Sequence, residues 1–144
     1  MSEVDEIRLA QQEDAPACAK IINDWIDKTP WMARSEPRAA IEEILRDGIP
    51  KREFYVIGDP IRGYLSLDPS SNLIGGFYLA KQGQGLGKAL LDRAKQGRSY
   101  MQLWTHEPNH GAQKFYRREG FVAVERDPER SPVGVVEIRM EWRT

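Results

Sequence analysis

Residues 73–97 read LIGGFYLAKQGQGLGKALLDRAKQG, and the spacing of their apolar side chains changes partway along. The run up to Leu79 is short and mostly apolar, which is typical of a β-strand. From Leu86 the apolar residues recur at helical spacing as far as Gly97, a common residue at the end of a helix. The segment therefore predicts a strand, a glycine-rich turn and a helix.

The turn holds three closely spaced glycines, Gly83, Gly85 and Gly87, which leave the backbone open to a ligand. Free backbone N–H groups at the start of a helix bind anions such as phosphate. Neither standard phosphate motif fits, because Walker A requires a glycine at Gln82 and a hydroxyl residue at Ala89, and the dinucleotide fingerprint lacks its third small residue. Spacing alone leaves two interpretations open: a phosphate-binding loop, and a tight turn that only glycine can make.

The rest of the chain alternates between strand and helix patterns. Predicted strands cover residues 7–10, 53–57, 61–67, 73–79, 100–105, 121–126 and 133–142, and predicted helices lie near residues 13–29, 35–48, 86–97 and 109–119. Residues 53–79 are expected to form an antiparallel meander. The fold class is therefore α+β, with helices flanking a largely antiparallel sheet. No repeat or linker divides the chain, so we expect a single domain over residues 1–144.

Composition excludes several classes of protein. The chain has 144 residues, a net charge of -1, one cysteine and two histidines. Near-zero net charge argues against a nucleic-acid-binding protein that relies on overall basicity. A lone Cys18 excludes an intramolecular disulfide, and with so few histidines a zinc site is hard to assemble, so no metal is expected. The acidic start, MSEVDEIRL, is no secretory signal, and no apolar run is long enough to span a bilayer, which favours a cytoplasmic protein.

Charge is unevenly distributed along the chain. Residues 81–118 carry eight basic and two acidic side chains, whereas residues 2–36 carry four basic and eight acidic ones. A basic half beside an anion-binding loop suits a polyanionic cofactor, and an acidic half suits a cationic partner. Solvated helix faces that differ in sign would give the same counts.

Two motifs in sequence order carry a family resemblance. Gln82-x-x-Gly85-x-Gly87 follows one predicted strand, and Asn109-x-x-Ala112-x-x-Phe115-Tyr116-x-x-x-Gly120-Phe121 follows the next. Together they resemble the GNAT superfamily of acyl-CoA-dependent N-acyltransferases. The resemblance extends over most of the chain, because EIRLAQQEDAPACAKI looks like the family's first strand and helix and EIRMEW like its closing strand.

The resemblance implies acetyl-CoA as co-substrate, threaded between two splayed strands that end near Leu79 and Thr105. Backbone N–H groups from Gln82 to Lys88 would hold the pyrophosphate, and Asn109 would contact the pantetheine chain while also capping the following helix. The cofactor-binding residues implied in this way are Tyr78, Leu79, Gln82, Gly83, Gln84, Gly85, Leu86, Gly87, Lys88, Asn109, Ala112 and Tyr116.

The same resemblance implies direct attack of an amine on the thioester in a ternary complex. The backbone N–H of Leu79 or Ala80 would polarise the carbonyl, and Tyr116 matches the family's general acid. Two features depart from the family pattern: the segment before Gln82 is short, and residues 73–79 contain no carboxylate where many members keep a base. The base is left open among water and the three side chains His106, Asp24 and Asp27.

The predicted acceptor is a primary amine on a small molecule. Trp31 is the better candidate for an aromatic pocket, whereas Trp25 and Trp104 are expected in the core. The acidic N-terminal half favours a cationic amine such as a polyamine or aminoglycoside, while an amino acid would need a basic contact such as Arg34 or Arg62. Cys18 is expected to be a buried, inert residue and His110 a surface one.

Two other functions compete with an N-acetyltransferase. A non-catalytic acyl-CoA-binding or regulatory module would explain the missing carboxylate, and a nucleotide-binding module could use the same loop. The enzyme predicts amine-dependent thiol release, the module predicts binding alone, and the third predicts competition by ATP or NAD. Many family members are homodimers, but no feature of this sequence marks an interface.

Overall fold

The computed structural model describes residues 6–144. Within them the elements follow one another as β1 (Ile7–Leu9), α1 (Ala15–Lys28), α2 (Arg38–Gly48), β2 (Glu53–Ile57), β3 (Gly63–Asp68), β4 (Leu73–Leu79), α3 (Leu86–Lys95), β5 (Tyr100–His106), α4 (His110–Arg118), β6 (Val122–Asp127) and β7 (Glu137–Arg143). No helix among these is long and apolar enough to cross a bilayer.

The strands form one mixed sheet in the order β1-β2-β3-β4-β5-β7-β6. Every neighbouring pair is antiparallel except β4 and β5, which are parallel. The α+β class and the largely antiparallel sheet predicted from the sequence are confirmed.

The parallel strands β4 and β5 separate soon after their first paired residues. Only Leu73 and Ile74 of β4 are paired with β5, opposite Gln102 and Leu103. Directly beyond this point β4 carries a bulge at Gly75, because Ser66 of β3 faces Gly76 while Leu67 faces Ile74. A bulge adds one residue to one strand and bends it. The C-terminal halves of β4 and β5 therefore leave a gap in the middle of the sheet.

The two faces of the sheet carry separate cores. On one face Leu90 and Leu91 of α3 pack against Met101, Leu103 and Met140 of the sheet, together with partly buried residues of α4. On the other face, residues from the start of α1 and from β2 and β3 form a second cluster: Ala15, Cys18, Phe54, Val56 and Tyr64. Cys18 is fully buried, and burial raises the pKa of its thiol to about 12, as expected for an inert residue.

Most predicted elements are confirmed within a few residues, with two differences at strand starts. The final strand begins at Glu137 and not at residue 133, because the preceding residues form a turn in which Val133 N–H donates to Ser131 Oγ and Gly134 has a φ of +79°. The third strand begins at Gly63 and not at residue 61, since Arg62 N–H closes a turn onto the carbonyl of Ile57.

Candidate active site

The glycine loop brings unpartnered backbone amides to the N-terminus of α3. Gly85 is the residue before the helix, has a φ of +76° and provides no side-chain cap. Gly83 has a φ of +80°, and a Cβ added at either glycine would meet no atom within 4 Å. The space beside the loop is therefore open, and the first N–H groups of α3 face it with no side chain in the way. This arrangement fits a phosphate or pyrophosphate.

Gly87 has a different role, which is close packing. A Cβ there would lie 3.3 Å from Leu79 Cδ1 and 3.4 Å from Phe115 Cζ, so the missing side chain lets α3 approach β4 and α4. Leu86 is buried in the core. Neither Leu86 nor Gln84 lines the cavity beside the loop, and of the twelve cofactor residues predicted from the sequence the other ten do.

That cavity, of about 760 Å³, passes through the gap between β4 and β5. It extends from the loop, α3 and α4 on one face of the sheet to Trp25 of α1 on the other. The edge of β4 contributes backbone groups to it. Ala80 N–H donates to the carbonyl of Arg62 on the β3 side at 2.8 Å, so this amide is not available to a ligand. Because ladder hydrogen bonds alternate, the N–H groups of Phe77 and Leu79 point to the β5 side, into the gap.

Tyr116 reaches the cavity from α4. Its ring lies 5.7 Å from Phe121, 5.5 Å from Phe115 and 6.2 Å from Phe77, which fixes its position at the cavity wall. Burial raises the pKa of its phenol, and the nearby phenol of Tyr78 adds to the effect. Tyr116 is therefore protonated at neutral pH and holds a proton that it can donate.

Asn109 and Lys88 both line the cavity and both have protein partners. Asn109 is the N-cap of α4, where its Oδ1 accepts from Ala112 N–H at 3.1 Å. The Lys88 ammonium is bonded to Asp92 at 3.0 Å and to Glu119 at 3.3 Å. Its charge is thus partly neutralised beside the loop, as a screened point charge.

An aromatic cluster closes the far end of the cavity. Trp25 lies 5.2 Å from the ring of Tyr78, 5.8 Å from Trp31 and 5.9 Å from His106. Burial, followed by the negative charge of Glu137, raises the pKa of Tyr78 to about 12. The flat rings and the neutral phenol make this end apolar.

The predicted positions of the tryptophans require correction. Trp25 and Trp104, expected in the core, are only half-buried and line the cavity, whereas Trp31 packs on Trp25 and His106 without lining it. Sequence alone could not separate these cases, because an amphipathic stripe has the same spacing whether it faces a core or a cleft.

The acidic residues proposed as bases do not line the cavity. Asp24 is paired with Lys20 at 2.8 Å, and Asp27 is paired with Arg34 at 2.9 Å and with Arg38. Arg34, suggested as a carboxylate contact, also donates to Asn23 Oδ1 at 2.7 Å. Of the side chains considered for proton transfer from the amine, His106 is the one that lines the cavity. His110 is exposed, as predicted.

Known proteins resemble this chain at the level of the family and of the whole fold. A family model described as an acetyltransferase (GNAT) domain matches residues 19–144. No match was found among the curated proteins.

Solved structures share the whole fold at low identity. YjaB from Escherichia coli is 19% identical with a TM-score of 0.78, over 97% of this chain and 98% of that one. YncA from Salmonella typhimurium, named as an acetyltransferase and solved with its cofactor acetyl-CoA, is 21% identical with a TM-score of 0.73, over 98% and 94%. A ribosomal-protein-alanine N-acetyltransferase from Brucella melitensis is 19% identical with a TM-score of 0.75, over 96% and 99%.

Proposed function

We propose that this chain, which belongs to the GNAT acetyltransferase family, transfers an acetyl group from acetyl-CoA to the primary amine of a small-molecule acceptor. The observation that carries the proposal is one continuous cavity that begins at open backbone amides, passes between β4 and β5, and ends at an aromatic cluster beside a protonated tyrosine. An elongated thioester with a phosphate at one end matches this shape and this order of groups.

The residues present fit acetyl-CoA. The amides at the N-terminus of α3 would hold the pyrophosphate, with Gly83 and Gly85 leaving room for it. The unpaired edge of β4 would bind the pantetheine arm through its amides, which otherwise lack a strand partner. Asn109 and Ala112 would contact the same arm from the start of α4.

In the proposed chemistry acetyl-CoA supplies the activated acetyl group, and the chain supplies two hydrogen-bond donors. The N–H of Leu79 points into the gap and would donate to the carbonyl oxygen as it gains negative charge. Tyr116 would donate its phenolic proton to the departing sulfur. The amine attacks directly in a ternary complex, without a covalent enzyme intermediate.

The aromatic end of the cavity favours an acceptor amine carried on a flat or apolar body. Trp25, Tyr78, Trp104 and His106 line this end, and no carboxylate of the described residues does so there. This differs from the cationic acceptor suggested by the charge of the N-terminal half, because those acidic side chains are engaged in ion pairs elsewhere. Tryptamine and tyramine are therefore expected to exceed spermidine and free amino acids as acceptors.

The cofactor site is tested by calorimetric titration with acetyl-CoA. Gly85→Val should abolish binding, because a branched side chain would intrude where the phosphate is expected. Gly97→Val is the matched control, since Gly97 also has a φ of +76° and open space around it but lies at the other end of α3. Both substitutions place a valine at the same positive φ and should cause similar backbone strain. A difference in acetyl-CoA binding between the two variants therefore reports an effect at the cofactor site.

The enzyme is distinguished from a non-catalytic acyl-CoA-binding module by thiol release. Amine-dependent release of CoA supports the transferase, and tight binding without release for any amine of the panel supports the module. The absence of any carboxylate on β4 is the feature that favours the module. No acetyl-CoA binding by the wild type would contradict both functions.

A further inference from the structure

His106 occupies the far end of the cavity and is held there by indole rings. It is the last residue of β5 and lines the cavity where β5 has parted from β4. Its imidazole stacks on Trp25 at 5.9 Å and an interplanar angle of 27°, and lies 5.3 Å from Trp31. Among the described residues, no hydrogen bond engages either ring nitrogen. The ring is therefore fixed in position while its nitrogens stay free to accept a proton.

Glu137 is the carboxylate whose charge acts on this imidazole. It is the first residue of β7 and lies directly opposite His106 in the antiparallel ladder, so both side chains project from the same face of the sheet. Glu137 is 8% exposed and bonded to Arg130 at 3.3 Å. A buried carboxylate beside a ring that gains positive charge stabilises that charge.

The other elements around His106 contribute little net charge. Trp25 of α1 and Tyr78 of β4 face it as neutral aromatic groups. Asp24 and Asp27 are held in ion pairs with basic residues. The next residue in the chain, Glu107, is paired with Arg126 at 2.6 Å. Glu137, itself paired with Arg130, is therefore the charge that acts most directly on His106.

We propose that His106 is the catalytic base that accepts the proton of the attacking amine, and that Glu137 is a positioning residue that stabilises the resulting imidazolium. This inference rests on the proposed transferase function and identifies the proton acceptor that the sequence left open. It also explains how the reaction proceeds without a carboxylate on β4.

The proton balance closes within the chain. A nitrogen–carbon bond replaces the carbon–sulfur bond, one proton passes from the amine nitrogen to His106, and one passes from Tyr116 to the sulfur. His106 then returns its proton to Tyr116 through solvent, so the amide and the thiol are the only products and the protein is unchanged. The electrostatics agree, since burial lowers the pKa of His106 and the charge of Glu137 only partly opposes it. The ring is therefore neutral and ready to accept a proton at pH 7.

The first test replaces the imidazole. His106→Gln should lower kcat about 10²-fold, the usual scale for one proton-transfer partner, and remove the acid limb of the pH profile. His110→Gln is the matched control, because His110 is the other histidine of the chain and is exposed. An unchanged kcat and acid limb in His106→Gln would overturn the proposal.

The second test leaves His106 in place and moves its pKa. NMR titration of the imidazole reports this pKa with the acceptor amine bound and without acetyl-CoA, so that no turnover occurs. The His106 signal is assigned by comparison with the His110→Gln variant, which lacks the other histidine. Glu137→Gln removes the charge that raises the pKa, so the NMR value should fall. The acid limb of kcat/KM for acetyl-CoA, measured at saturating tryptamine or the best amine of the panel, should fall by the same amount.

The outcomes separate this inference from the proposed function. A joint shift of the NMR pKa and the acid limb supports His106 as the base. A shift of the NMR value alone makes His106 a bystander and overturns the inference while the transferase stands. If no amine of the panel is acetylated, the proposed function fails, and the inference fails with it.

Discussion

Tyr116 combines a phenol that is protonated at neutral pH with a side chain that reaches the cavity. Burial raises its phenol pKa while the residue still lines the cavity. Tyr116→Phe keeps the ring contacts and removes only the hydroxyl. We expect kcat to fall about 10²-fold and the Kd for acetyl-CoA to stay nearly unchanged, as measured by steady-state kinetics and calorimetry.

Tyr100→Phe is the matched control for this substitution. The Tyr100 hydroxyl donates to Glu141 at 2.8 Å, and the residue does not line the cavity. Its loss should leave kcat close to that of the wild type. Unchanged turnover in Tyr116→Phe with a good acceptor would remove Tyr116 from the mechanism.

Asn109 combines a structural role with a predicted ligand contact, and two substitutions separate them. Asn109→Ala removes the acceptor for Ala112 N–H and should lower the free energy of unfolding by about 1 kcal/mol in urea titrations. Asn109→Ser keeps a capping oxygen but shortens the side chain. If Asn109 contacts the pantetheine arm, both variants should lose affinity for acetyl-CoA. If affinity falls only in the less stable variant, the residue acts as a cap alone.

Single residues also show what the sequence could predict at the site. The sequence predicts Gly85, Gly87 and Tyr116 because they occupy fixed places in two motifs, and ten of the twelve predicted cofactor residues line one cavity. No motif or spacing in the sequence marks Glu137 as a functional residue. Its burial depends on a cross-strand partner distant in sequence, and a single acidic residue in an alternating strand is normally exposed.

At the level of elements, the bulge in β4 falls at two adjacent glycines, Gly75 and Gly76, where neighbouring side chains pack closely. A Cβ at Gly76 would lie 3.2 Å from the ring of Tyr64, which is 1% exposed and cannot easily move. A Cβ at Gly75 would lie 2.5 Å from Arg52 Nη2, the end of a flexible side chain that can swing away.

Gly76→Ala should therefore be the more costly of the two substitutions. We expect it to lower the free energy of unfolding by about 1–3 kcal/mol, the usual cost of overpacking a filled core. Gly75→Ala should cost less, although its contact is shorter. Urea unfolding of both variants measures the two losses of stability. Equal losses, or a larger loss in Gly75→Ala, would contradict this account of the packing at the two glycines.

The bounds of most strands and helices followed from periodicity and turn residues, but the gap between the strands did not. Nothing in the alternation of residues 73–79 or 100–105 indicates that two paired strands part after two residues. That expectation came from the family resemblance. The late start of β7 was missed because Ser131 and Gly134 form a turn inside an apolar stretch that resembles a strand.

The uneven charge of the whole molecule was a poor guide to the acceptor. A charge count includes every charged side chain of a segment, whereas recognition of the acceptor depends on the side chains that reach the cavity. Asp24 and Asp27 are neutralised by basic neighbours on α1, on α2 and in the segment between them. Lys88, at the basic end, is likewise held by two carboxylates. Fold and family could thus be predicted from the sequence. The chemistry of the acceptor could not, because it depends on which charged side chains are held in ion pairs away from the cavity.

The stability of the whole molecule should fall in two stages as the solution is acidified. Burial lowers the pKa of His106, with Glu137 opposing, so the unfolded chain binds more protons than the folded protein between an ordinary histidine pKa of about 6.5 and the lowered one. Unfolding therefore becomes easier as pH falls through this window. The hydrogen bond from Arg8 lowers the pKa of Asp14, which adds a second loss below roughly pH 4.

Urea unfolding at a series of pH values between roughly 3 and 8 measures both stages, because protein stability follows the difference in bound protons. His106→Gln should abolish the first stage and keep the second, since glutamine does not titrate. His110→Gln should keep both, because its side chain is exposed. A wild type whose free energy of unfolding stays constant down to about pH 4.5 would mean that His106 has an ordinary pKa in the folded protein. The lowered pKa expected of this half-buried imidazole would then be absent.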